Sequence, residues 1–166
     1  RDLFVSNGTG GGGASRLVFA PDGALFMSLG GALGGRRSEA QDPLSHVGKM
    51  LRLRDDGSAP ADNPFAGHAD AQAEVYSLGH RNQMGVAIHP ETGELWASEH
   101  APQGGDEVNI IRPGQNYGWP EVSYSREYSG QRVTERPWRE DLVQPEFVWI
   151  PSIGPSGLMF YPGDRF

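Results

Sequence analysis

Leu17-Val18-Phe19-Ala20-Pro21-Asp22-Gly23-Ala24-Leu25-Phe26 is an apolar run, a turn built on proline, aspartate and glycine, and a second apolar run. Proline pre-sets φ and glycine tolerates positive φ, so the stretch predicts a β-hairpin. The same order returns in Val86-Ala87-Ile88-His89-Pro90-Glu91-Thr92-Gly93-Glu94-Leu95-Trp96 and in Leu158-Met159-Phe160-Tyr161-Pro162-Gly163-Asp164. The turn prolines Pro21, Pro90 and Pro162 fall about 70 residues apart, and a regular period of that size predicts a radial array of similar sheets, a β-propeller with long inter-strand loops.

Between the copies, Met50-Leu51-Arg52-Leu53, Glu74-Val75-Tyr76-Ser77-Leu78 and Val108-Asn109-Ile110-Ile111 read as further strands, and the first residues read as a strand followed by a loop. Residues 59–68 and 124–142 are polar, charged or proline-containing and read as connections. No segment keeps a helical period for long. The expected fold class is all-β, one partial β-propeller domain over residues 1–166 with no second domain. The repeat spacing corresponds to roughly two and a half to three blades.

Composition agrees. The 24 Gly and 13 Pro are spread along the chain, as turns require, and 37% hydrophobic residues suffice for a core. A net charge of −7, with no basic cluster beyond Arg36-Arg37, argues against a nucleic-acid partner. No apolar run approaches the roughly 20 residues that span a bilayer, and Arg1-Asp2-Leu3-Phe4 lacks the order of a signal peptide. With no cysteine, disulfides and thiolate metal sites are excluded. The glycine run 10–13 has no following Lys-Ser/Thr, so it is a poor phosphate loop, and Asn7-Gly8-Thr9 matches a glycosylation sequon.

The densest chemistry lies in Gly79-His80-Arg81-Asn82, in Ser98-Glu99-His100-Ala101-Pro102-Gln103-Gly104-Gly105-Asp106-Glu107 and in Asn116-Tyr117-Gly118-Trp119-Pro120. Arg81 offers a planar fork of donors and Asn82 both a donor and an acceptor, which suits a planar ligand rich in carbonyls and carboxylates; the alternative is an arginine that caps a loop. The segment from His100 to Glu107 can turn backbone carbonyls inwards, as a calcium loop does, or can be a turn with Asp106 and Glu107 solvated. His100 would donate to a cofactor or serve in packing.

These three motifs resemble those of the pyrroloquinoline quinone (PQQ)-dependent soluble aldose and glucose dehydrogenases, six-bladed propellers of the glucose/sorbosone dehydrogenase family. Similar spacing extends to His46-Val47-Gly48-Lys49-Met50-Leu51-Arg52-Leu53 and to Pro60-Ala61-Asp62-Asn63-Pro64-Phe65, so the resemblance covers nearly the whole chain. It implies a six-bladed quinoprotein propeller, with PQQ and calcium as cofactors. Arg81, Asn82 and His100 would contact PQQ, and Arg81 would stabilise negative charge on the quinone oxygen as hydride arrives. The carbonyls of Ala101 and Pro102 would hold the calcium that anchors PQQ, while the Glu107 side chain and the Tyr117 carbonyl would bind a second calcium. Ala101 stands where relatives carry glycine, and Gln83-Met84 replaces a more common Pro-Gln pair.

Relatives also carry a catalytic base, a His four residues before an Arg-Leu pair, oriented by an acid after the next hairpin. Aligning that pair with Arg16-Leu17 puts Gly12 in place of the His and Gly31 in place of the acid. Glycine accepts no proton, and a general base is typically worth about 10²–10⁴ in rate. His46 is the nearest substitute, with a strand-edge structural role as the alternative. The reading is therefore PQQ- and calcium-dependent oxidation of an aldose at its anomeric carbon, with the usual catalytic His absent and an external electron acceptor as partner. The alternative is a non-catalytic propeller binding a carbohydrate, quinone or protein, and exposed blade edges would permit a homo-oligomer. By resemblance the location is periplasmic or secreted.

Overall fold

The computed structural model describes residues 2–8 and 13–165. Eight strands form two four-stranded antiparallel sheets, ordered β1-β2-β3-β4 and β5-β6-β7-β8. The first sheet contains β1 (Ser15–Phe19), β2 (Leu25–Leu29), β3 (Lys49–Leu53) and β4 (Val75–Leu78). The second contains β5 (Gln83–Ile88), β6 (Leu95–Glu99), β7 (Asp106–Ile111) and β8 (Phe147–Trp149). The chain is all-β apart from a 3-10 helix over Gly34–Gln41, which the sequence reading did not foresee.

The first two hairpins form as expected. In β1–β2, Phe19 faces Leu25 across the Pro21-Asp22-Gly23 turn, and Gly23 takes φ +85°, where a side chain would be strained. In β5–β6, Ile88 faces Leu95, and the Glu94 carbonyl accepts the His89 N–H at 2.8 Å. The three intervening strand segments are β3, β4 and β7, and residues 59–68 and 124–142 carry no regular helix or strand.

Two expectations fail. Residues 2–8 hold no strand, and residues 158–164 hold no hairpin. A strand exists by pairing its backbone donors and acceptors with a neighbour, and apolar patterning supplies none of those partners. Instead the backbone at Gly157 and Leu158 lies against Gly85 of β5, so close that a Cβ there would come within 2.6 Å. Phe160 meets His89 and Trp96 edge-on, with centroids 4.6 and 5.7 Å apart. The short strand β8 went unread in the sequence; it pairs with β7 through Asp106–Trp149 and Glu107–Val148.

β1 and β5 run side by side where the sheets meet. Phe26 and Met50 from the first sheet pack there with Leu95, Ala97 and Ile111 from the second, and Tyr117 closes the cluster. A second cluster of Ala32, Ala40, Val47 and Trp119 seats the 3-10 helix. Lys49 sits fully buried beneath it and donates to the carbonyls of Glu39, Ala40 and Val47 at 2.8, 3.0 and 2.8 Å. Burial pulls its pKa down to about 7, and three acceptors match the three N–H donors of a protonated amine. Lys49→Met keeps the aliphatic stem but strands these carbonyls, so a loss of about 3 kcal/mol is expected, read as a Tm drop of roughly 6–12 °C. An unchanged Tm would show that solvent reaches this pocket.

Candidate functional site

The proposed ligand residues collect at one end of the second sheet, where β5 begins, β6 ends and β7 begins. Arg81 enters this end buried, its guanidinium carbon 5.4 Å from the centre of the Trp119 ring. Its Nη1 donates to the His100 carbonyl at 2.7 Å, and its backbone N–H donates to Glu99 Oε2 at 2.8 Å. Its buried Nε has no partner among the described residues. Burial lowers its pKa, against the raising influence of Tyr128, Glu99 and Glu127. The guanidinium is thus neither solvated nor fully satisfied.

Asn82 performs a joining role. Its Oδ1 accepts the Ala14 N–H at 2.8 Å, tying the segment before β1 to the second sheet, while Nδ2 meets only Met84 Sδ at 3.5 Å. Its carbonyl accepts the His100 N–H at 3.0 Å. Among the described residues the buried Nε2 of the His100 ring has no partner.

The loop that follows is shaped by Asp106, which has no exposed surface. Its Oδ1 accepts the Ala101 N–H at 2.9 Å; its Oδ2 accepts from Ser152 Oγ at 2.5 Å and from the N–H groups of Ile153 and Gly154 at 2.8 Å. Burial pushes the Asp106 carboxyl up, but these four donors outweigh it and hold the group below the usual carboxylate range. Asp106 is therefore no solvated turn residue. Gly105, at φ +79°, lets the loop pass Ser125, whose Oγ a Cβ would meet at 2.8 Å. Among the described residues no protein donor reaches the carbonyls of Ala101, Pro102 or Tyr117.

Glu99 and Glu107 face each other in register across β6 and β7, so their side chains share one side of the sheet. Burial pushes Glu99 up too, but the His80 ring and the surrounding donors pull it below the ordinary value. Glu107 is pushed up to about 8, first by burial and then by the charge on Glu99, and its one side-chain partner is Asn109 Nδ2 at 3.4 Å. Tyr117 donates its hydroxyl to the Ile110 carbonyl at 2.6 Å, and burial lifts the phenol to about 12. A cavity of about 20 Å³, room for one water or ion, lies among Arg81, Glu99, His100, Ala101, Glu107 and Tyr117. Asn82 and Pro102 stand outside its lining. Among the described residues no three His, Asp or Glu side chains converge as a metal cluster, so a cation here would need backbone carbonyls. A larger cleft of about 580 Å³ opens at the turn end of the sheets, but its Arg52 is already paired with Asp22 and Asp62.

The positions aligned with the base and its acid fall near this end. Gly12 lies outside the described residues. Gly31 adopts φ +95°, which side-chain-bearing residues rarely adopt, and Gly13 packs so closely on it that a Cβ on Gly13 would come within 2.3 Å of the Gly31 nitrogen. His46 does not replace the base. Its Nδ1 accepts the Asn7 N–H at 3.0 Å, its Nε2 donates to Glu74 at 2.8 Å, and burial lowers its pKa. Asn7 of the sequon in turn donates its amide to the Leu44 carbonyl. His80, Glu99 and Trp119 stood in the quoted motifs without an assigned role, and what gives Glu99 its place, the register that sets it opposite Glu107, is carried by strand pairing.

A family model described as glucose/sorbosone dehydrogenase matches residues 4–166. The aldose sugar dehydrogenase YliI of Escherichia coli K12 is 43% identical over 162 residues, covering 95% of this chain and 43% of that protein. Among solved structures, the apo-form soluble aldose sugar dehydrogenase of Escherichia coli superposes with a TM-score of 0.91 at 39% identity, covering 100% of this chain and 49% of that one. The PQQ-bound aldose sugar dehydrogenase of Streptomyces coelicolor gives a TM-score of 0.63 at 35% identity over 81% of this chain and 34% of that one. This chain spans 39% and 43% of the length of two curated relatives it matches. Among the described residues no helix is long and apolar enough to cross a membrane. With the family model matching almost end to end, the chain belongs to the glucose/sorbosone dehydrogenase family.

Proposed function

We propose that this chain forms part of a six-bladed propeller that binds PQQ and calcium and oxidises an aldose at its anomeric carbon. It would contribute roughly two and a half to three blades of one domain, the blade count following from the repeat spacing. Each four-stranded sheet would be one blade, the residues after β8 would begin the next, and the exposed Leu17 and Phe19 on β1 would meet a further blade or a second copy of the chain. The carrying observation is the set of unsatisfied groups at one end of the second sheet. These are Arg81 Nε and His100 Nε2, both buried and unpartnered, beside the donor-free carbonyls of Ala101, Pro102 and Tyr117 and a weakly bonded Glu107 carboxyl. Buried polar groups in folded proteins are paired, so this constellation calls for a ligand that accepts from the nitrogens and a cation that takes the oxygens.

That donor set fits the two cofactors. PQQ, when bound, supplies the two-electron acceptor for the anomeric C–H bond. Arg81 and His100 would donate to its oxygens, and the Arg81 guanidinium would stabilise negative charge developing there. Asn82 would offer its Nδ2, since its oxygen is already held by Ala14. Ala101 and Pro102 carbonyls would hold the calcium that anchors the cofactor; Glu107 and the Tyr117 carbonyl would take the second. An external acceptor must then remove the electrons, and by family resemblance the reaction belongs in the periplasm or outside the cell.

The glycine at position 12, aligned with the base, favours a second reading, a propeller that keeps the ligand site without turnover, because glycine accepts no proton. Thermal unfolding of the full-length protein with calcium, with and without PQQ, run beside dye reduction by aldoses, separates the two. The expected result is a PQQ-dependent rise in Tm. Turnover with that rise supports the dehydrogenase, a rise without turnover supports the binding propeller, and no rise removes PQQ from the account.

A further inference from the structure

Ser77, His80 and Glu99 form a buried line that resembles a hydrolase triad but faces inwards. Ser77 Oγ lies 2.9 Å from His80 Nε2, and His80 Nδ1 lies 3.1 Å from Glu99 Oε1. Ser77 and His80 have no exposed surface and Glu99 has 5%, so no substrate reaches the serine. The chemistry lies elsewhere. An ionised carboxylate only accepts, so His80 Nδ1 donates to Glu99, and the Ser77 hydroxyl, able to donate or accept, meets Nε2. Tyr117 stacks on the His80 ring, with centroids 4.5 Å apart and planes 24° from parallel, and fixes its plane.

The two carboxylates of the site differ in what remains for a ligand. Glu99 Oε1 takes His80 and, at 3.2 Å, Asn109 Nδ2; Oε2 takes the backbone N–H of Arg81 at 2.8 Å, and the backbone N–H of Asn82 adds to the pull that lowers the carboxyl's pKa. A carboxylate has about four lone-pair positions, and three of these are bonded to His80, Asn109 and Arg81. Glu107 keeps nearly all of its own free. Proximity to the cavity alone would class both as ligands, whereas the hydrogen bonding divides them.

We infer that Ser77, His80 and Glu99 are positioning residues: Glu99, held by His80 and Asn109, clamps the main chain at Arg81 and Asn82 and so aims the Arg81 guanidinium, leaving cation binding to Glu107. The inference rests on the PQQ reading only for its functional consequence, because the clamp on the Arg81 main chain is a property of the protein alone. A released main chain at Arg81 would no longer hold its side chain to the His100 carbonyl, and misplacing a positioned group is costly in binding and in rate.

The test uses the full-length protein with four variants, His80→Leu, His80→Gln, Ser77→Ala and Glu99→Gln. Each is followed by amide hydrogen exchange at residues 81 and 82, by PQQ titration in saturating calcium, and by the Tm shift with calcium alone. His80→Leu is expected to speed exchange at these two amides and to raise the Kd for PQQ, each by about tenfold. His80→Gln restores a donor to Glu99 and should recover most of both. Ser77→Ala should raise the Kd about threefold and serves as the deciding variant if His80→Leu fails to fold. Glu99→Gln should weaken PQQ binding and keep the calcium shift. Unchanged exchange at 81 and 82 across the variants overturns the inference, and so does a calcium shift lost in Glu99→Gln, which would make Glu99 a ligand. The exchange pattern across the variants, together with a wild-type protein that binds no PQQ, would count against the cofactor reading and leave the clamp standing.

Discussion

Arg81→Lys is expected to weaken PQQ binding by about 100-fold while the protein remains folded, as read by cofactor titration beside circular dichroism. Lysine keeps the charge, so a test of charge alone predicts little change. The geometry predicts otherwise. Arg81 uses Nη1 on the His100 carbonyl and sets its guanidinium carbon 5.4 Å from the centre of the Trp119 ring, while its buried Nε finds no partner among the described residues. An ammonium group can reach the carbonyl or the ligand, but it has no plane to stack and no second fixed donor. Losing a buried bond to a charged group is worth about 1.5–3 kcal/mol, and a 100-fold change in Kd is close to the upper end of that range. A Kd within threefold of wild type would show that Arg81 serves the loop alone, as its bond to His100 could suggest.

Local chemistry made the hairpins legible. Pro21-Asp22-Gly23 and the turn around Pro90 fix their backbones with residues a few positions apart, so the strands on either side follow. The third copy of the pattern had the same turn and similar apolar runs, yet residues 158–164 form no strand, because a strand also needs a neighbour and no residue within the copy specifies one. β8 was missed for the reverse reason. Phe147-Val148-Trp149 is too short to announce itself, and it is held beside β7 by pairing and by Asp106, which grips the segment just beyond it at Ser152, Ile153 and Gly154.

The site divides in the same way. Arg81, His100, Ala101, Glu107 and Tyr117 stood out as residue types in recognisable motifs, and they surround one small cavity. Their supports did not stand out, since Glu99 opposite Glu107 is a matter of strand register and Ser77 beneath His80 a matter of how β4 leads into β5. Asp106 read equally well as a solvated acid until the backbone donors gathered on it came into view. His46 was a candidate by nearness in sequence, and its two ring nitrogens turn out to be occupied by Asn7 and Glu74.

The second large effect concerns calcium and pH. Without a cation, Glu107 titrates near 8 in the folded protein against an ordinary value of 4.5, because burial and the Glu99 charge both disfavour its ionised form. A raised folded pKa stabilises the fold fully below the unfolded value, and that contribution is lost as pH rises from about 4.5 through about 8. The calcium-free protein should therefore lose stability across that interval. A cation bound at Glu107 needs the carboxylate, so binding displaces a proton at low pH and offsets the repulsion from Glu99 at high pH. The Tm increase produced by calcium should be several-fold larger at pH 8.5 than at pH 5.5. Glu107→Gln removes the ionisation while keeping the shape. It should raise the calcium-free Tm at pH 8.5 above that of wild type, flatten its pH dependence over this interval, and abolish most of the calcium shift. Equal calcium shifts at the two pH values in the wild type would mean that the cation sits on carbonyls alone, and Glu107 would then have to be removed from the site.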